Sequence, residues 1–72
     1  MIREFYNDSW ITHVKHDDET NEMVVTMKGG TKNKYACQGV TLADFEAFRD
    51  SGSRGTHFNN EIKGKFLHEW FS

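Results

Sequence analysis

A chain of 72 residues is one domain, and at this size it buries only roughly 60% of its extended-chain surface, so one sheet under one layer of helices is about what it can build. Its single cysteine excludes an intrachain disulfide, and the core must come from six Phe, two Trp and two Tyr. A net charge of −2 excludes a polycation and a nucleic-acid mimic, and the lack of a spanning apolar run or a leader pattern points to a cytoplasmic protein.

The pattern predicts a first strand over Ser9–His16, with Trp10, Thr12, Val14 and His16 on one face and Ile11, His13 and Lys15 on the other. "DDETN" turns the chain into a second strand, "EMVVTMK", which points Met23, Val25 and Met27 one way and Val24, Thr26 and Lys28 the other. At Gly29–Gly30 a two-residue loop would set Met27 beside Lys32 and Val25 beside Lys34. A three-residue loop, Gly29–Thr31, pairs Val25 with Tyr35 and Met23 with Cys37 and leaves Lys28, Lys32 and Lys34 on the opposite face. One face must be buried, so the three-residue loop is expected.

"VTLADFEAFRDSG" then reads as a helix. Thr41 is the expected N-cap with Asp44 as its capping-box acid, Val40 and Phe45 form a staple, Leu42, Phe45 and Phe48 make the apolar stripe, and Gly52 ends the helix. After the "SGSRG" bend, Phe58, Ile62 and Phe66 mark a short second helix. The expected fold is therefore α+β: a three-stranded antiparallel β-meander followed by two short helices packed on one face. The whole of residues 1–72 is a single domain with its core at about 9–66, flanked by aromatic-rich terminal arms.

The segment "SRGTHFNNEIKGKF" resembles the C-terminal signature of the KTSC domain family, approximately S-x-G-x-x-F-N-x-x-I with an aromatic four residues later. Those positions are Ser53, Gly55, Phe58, Asn59, Ile62 and Phe66. "MVVTMKGGT" and "VTLADFEAF" fall in the family's order, so the resemblance spans roughly Ser9 to Phe66. Two features depart from the pattern: a central tyrosine-x-tyrosine pair stands here as Asn33-Lys34-Tyr35, and two extra residues lie around "CQG". The family takes its name from an appended domain of some lysyl-tRNA synthetases and includes stand-alone bacterial and phage proteins, and RNA binding is the role usually suggested for it. Within this signature Gly55 is expected to allow a tight bend, and Asn59 to satisfy a backbone group at the start of the short helix.

No catalytic or metal constellation stands out. His13 and His16 are three apart on a strand and fall on opposite faces, His57 and His68 lack partners at helical spacing, and Cys37 has no second cysteine. The inferred register turns Cys37 into the core beside Met23, where it serves as a small hydrophobe and not as a nucleophile. The glycines at 29 and 30 join two strands, so they do not form a phosphate loop. The chain reads as a non-enzyme with no metal and no cofactor.

Binding surfaces remain. The outer sheet face is expected to gather His13, Lys15, Lys28, Lys32 and Lys34 around Ile11, Val24 and Thr26, and the N-terminal Phe5 and Tyr6 offer aromatic anchors. These residues suit a protein-interaction module, for example a phage-encoded regulator of a larger host complex such as the transcription machinery. The alternative is an RNA-binding module on the lysine face, which lacks both arginine and stacking aromatics among its lysines. A protein partner is the first expectation, RNA the second, with no membrane, and the chain itself a monomer or weak homodimer.

Overall fold

The alternating run around Met23–Met27 sits at the centre of the sheet. In the computed structural model, which describes all residues Met1–Ser72, the elements are β1 (Ile2–Tyr6), β2 (Ile11–Asp17), β3 (Glu22–Met27), β4 (Lys34–Gln38), α1 (Leu42–Arg49), α2 (Arg54–His57) running on into a π-helical turn (Phe58–Ile62), and β5 (Leu67–Phe71). The five strands form one antiparallel sheet in the order β1-β2-β3-β4-β5. The α+β class and the two-helix layer match expectation, but the sheet has five strands and not three. The two terminal segments expected as arms are its edge strands.

The β3–β4 register is the one the hydrophobic pattern demands: Met23 pairs with Cys37, Val25 with Tyr35 and Thr26 with Lys34. The Met27 N–H donates to the Asn33 carbonyl at 2.7 Å, and Gly29 and Gly30 both take positive φ, which L side chains rarely adopt.

In β2 the expected alternation is broken. Ile11 pairs with Met27 and His13 with Thr26, so Thr12 is an extra residue, a β-bulge whose hydroxyl donates to the Thr26 carbonyl at 3.2 Å. The bulge reverses the phase at one point. Ile11, assigned to the outer face, is fully buried with Val14 and His16.

The core lies between the inner sheet face and the helices. Ile11, Val14, Met23, Val25, Tyr35 and Cys37 meet Val40, Phe45, Phe48, Phe58 and Ile62. Each fully buried side chain of this size contributes about 1.5–3 kcal/mol. Tyr35 joins the layers: its ring meets Phe58 edge-on at 5.2 Å and its hydroxyl accepts from the Gly64 N–H at 3.1 Å. His16 is the one buried polar side chain. Its Nε2 donates to the Val40 carbonyl at 2.6 Å, its ring stacks on Phe45 at 5.2 Å, and its Nδ1 has no partner.

Helix α1 carries the expected capping box. The Asp44 N–H donates to Thr41 Oγ1 at 3.2 Å and the Thr41 N–H to Asp44 Oδ2 at 3.1 Å. It stops before Gly52, however, capped at Asp50, and Arg54 explains why. Its Nε and Nη2 both donate to the Arg49 carbonyl, at 3.0 and 2.6 Å, closing the helix end from outside. The following π-helical turn is defined by the Lys63 N–H donating to the Phe58 carbonyl at 2.8 Å. It keeps Phe58 and Ile62 on the buried side and leaves Asn59, Asn60 and Glu61 exposed.

Candidate functional site

Strand alternation and the four registers determine what lies on the outer face, which no helix covers. One row across the sheet reads Tyr6, His13, Thr26, Lys34, Phe71. The next reads Glu4, Lys15, Val24, Ala36, Glu69, and the third Ile2, Asp17, Glu22, Gln38, Leu67. Apolar side chains crowd both edges: Ile2 is 57% exposed, Tyr6 76%, Leu67 80% and Phe71 37%.

The expected lysine patch is corrected by the two additional strands. Lys15 stands directly between Glu4 and Val24, and Glu69 lies in the same row. The face is a mixture of both signs. Glu4 also accepts from Tyr6 Oη at 3.3 Å and lies 3.0 Å from His13 Nε2. The His13 contact is the main cause that holds its carboxyl below the usual range, with Tyr6, His13 and Lys15 adding to it. The ring of Tyr6 rests 4.9 Å from that of His13.

Of the residues singled out in the sequence, Lys15, Lys34 and Tyr6 share this face. Lys28 and Lys32 are exposed in the turn after β3, beyond the Tyr6-to-Phe71 row. Phe5 is elsewhere. It points into the inner layer, with its ring 5.6 Å from Phe45 and 5.7 Å from Phe48 and the Arg54 guanidinium 4.8 Å above it, so it is half-buried against the core and not an anchor on the outer face. Sequence reasoning missed Glu4, Glu69, Leu67 and Phe71 as members of the face. The signal available was the short runs "IREFY" and "LHEWF", rich in β-branched and aromatic residues.

The signature segment forms a second feature, a polar hollow of about 350 Å³ between the β1–β2 loop and α2, lined by Asn7, Ser9, Trp10, Ser53, Gly55 and Asn59 among others. Its floor is rigid. Arg54 Nη1 donates to Asn7 Oδ1 at 3.0 Å, and Asn7 Nδ2 donates to Ser9 Oγ and the Ile11 carbonyl. Trp10 lies edge-on to Phe58 at 5.8 Å and against Gly55. Two expectations change here. Gly55 sits within α2 and is required by the indole packed on it, not by a bend. Asn59 lies inside the π-helical turn, five residues past the start of α2, and its side chain caps no backbone group.

The groups with chemical potential are dispersed. Burial, with the Glu22 charge adding, pushes the Cys37 thiol up to about 12, and its Sγ sits 3.5 Å from the Met23 carbonyl. Asp44, His57 and Glu61 border another hollow, of about 310 Å³, while the His57 ring is stacked on Phe48 at 5.4 Å. No three His, Cys, Asp or Glu side chains are grouped to share a metal ion. No helix is long and apolar enough to cross a membrane.

Comparison with known proteins agrees with this architecture. The chain is similar in fold to a KTSC domain protein from Yersinia pestis known from its crystal structure, with a TM-score of 0.87, 22% identity and all of both chains covered. No curated protein matches. The family model of the KTSC domain matches residues 7–66, which takes in the hairpin, the capped helix and the whole Ser53–Phe66 signature. This chain therefore belongs to the KTSC domain family.

Proposed function

We propose that this protein is a non-enzymatic protein-interaction module, a cytoplasmic regulator that docks on a larger protein assembly through the outer face of its sheet. The observation that carries this reading is the mixture on that face: Lys15 and Lys34 alternate with Glu4 and Glu69, between exposed apolar side chains at both edges. A protein surface matches such a pattern residue by residue, with apolar anchors supplying affinity and charges setting orientation. A phosphate backbone would meet the acids as readily as the lysines, which ranks RNA second. The Cys37 thiol, buried and poorly ionised, supports a reading without nucleophilic chemistry.

Two variants separate the readings. Tyr6→Ala with Phe71→Ala removes two apolar anchors, and Lys28→Glu with Lys32→Glu and Lys34→Glu reverses the two turn lysines and the adjacent one on β4. Binding to the partner captured from nuclease-treated host extract should fall at least tenfold in the first and only a few-fold in the second, with mild salt dependence. RNA binding with steep salt dependence, abolished by the lysine reversal, would replace this reading with the RNA one.

A further inference from the structure

We propose that β5 is a self-pairing edge, through which two copies of this chain join antiparallel into one continuous ten-stranded sheet. The strand reads Leu67-His68-Glu69-Trp70-Phe71, and its chemistry is the same in either direction: apolar, aromatic, acid, aromatic, apolar. About a two-fold axis at Glu69, Leu67 of one copy falls opposite Phe71 of the other on the outer face, twice. His68 falls opposite Trp70 on the inner face, also twice. Four of the five cross-strand pairs are thus apolar or aromatic, and such pairs are the unit that stabilises a sheet. Only the Glu69 pair opposes like charges, which makes the dimer weak and tunable.

The state of the edge favours the same occupant. The principal neighbour of β5 is β4, and four of its five residues are exposed, Leu67 at 80%. It carries no lysine, no proline and no bulge, the usual guards of a free edge. At the other edge the inner side chains are engaged much as in β5, Arg3 with Asp18 and the half-buried Phe5 with Phe45 and Phe48, against His68 and Trp70 on Tyr35. What β1 lacks is the symmetric order, since pairing it with itself about Glu4 would set Arg3 against Phe5. Direction restricts the choice further. Four successive antiparallel pairings leave β1 and β5 running the same way, so joining β5 to a neighbour's β1 by translation makes a parallel ladder and an open array. Antiparallel closure joins β5 to β5. This inference does not rest on what docks on the outer face: Leu67 and Phe71 belong to both, but edge pairing leaves that face open and doubles it.

The test is sedimentation velocity over a wide concentration range, with circular dichroism confirming that each variant is folded. The wild type should show a weak, reversible dimer. Glu69→Gln should lower its dissociation constant a few-fold, and Leu67→Lys should make the chain monomeric, while Tyr6→Lys on the opposite edge leaves the dimer intact. A register test follows from the axis: Glu69→Cys should oxidise to a disulfide-linked dimer much faster than Leu67→Cys, with the buried Cys37 inert. A wild type and Glu69→Gln that both stay monomeric throughout would overturn the proposal. So would a dimer indifferent to Leu67→Lys, or equal trapping at positions 67 and 69.

Discussion

Trp10 and Gly55 are fitted to one another: a methyl group at Gly55 would stand 2.7 Å from the indole Nε1 and 3.1 Å from Cε2. The contact ties the start of β2 to α2 and forms one wall of the polar hollow. Gly55→Ala should therefore destabilise by about 1–3 kcal/mol, the usual cost of overpacking. In a Trp10→Ala background the same substitution should cost far less or stabilise, since alanine suits a helix better than glycine. Urea melts of the four proteins measure the coupling, and additive effects would show that the two residues do not share a contact.

Phe58 is the residue on which the layers converge, with aromatic contacts to Trp10, Tyr35 and Phe48. Phe58→Ala should cost about 3–5 kcal/mol through lost burial and a residual cavity. For a domain of this size such a loss leaves little or no stability, so the melt should show a barely cooperative or absent transition.

The N-terminal segment reads as an arm in the sequence, but its contacts make it part of the folded unit. Deleting Met1–Phe5 removes most of β1, uncovers the β2 edge and takes Phe5 off Phe45, Phe48 and Arg54. Circular dichroism and thermal melting should show a truncated chain that has lost cooperative folding. A melting temperature within a degree or two of the intact protein would place Phe5 outside the core.

Cys37 should be silent to thiol reagents while the domain is folded. With the thiol pushed up to about 12, the thiolate is scarce at pH 8, and burial adds a steric barrier. Labelling at pH 8 should then proceed at the rate or free energy of opening and accelerate in urea in step with unfolding. The linkage has a definite sign. The folded state holds the thiol proton more tightly than the unfolded chain, so this group's contribution declines as pH rises above the ordinary thiol range toward about 12.

The sequence alone determined the central hairpin, the capped helix and the inner face they share. The reason is local: alternation in Met23–Met27 and Tyr35–Cys37 allows only one register that buries one face, and Thr41 with Asp44 can satisfy each other within one turn. It also carried the family signature at Ser53–Phe66. The edges were not legible. A strand at a sheet margin is paired on one side and half covered, so "IREFY" and "LHEWF" show no clean alternation and read as loose arms. Their pairing is a long-range fact, and with it came Glu4 and Glu69, which convert a lysine face into a mixed one. The bulge at Thr12 was equally hidden, because one inserted residue changes the phase of a strand without changing its composition. The role of Gly55 belongs to the same class. A glycine announces freedom of the backbone, and only the fold reveals that here it makes room for an indole from 45 positions earlier in the chain.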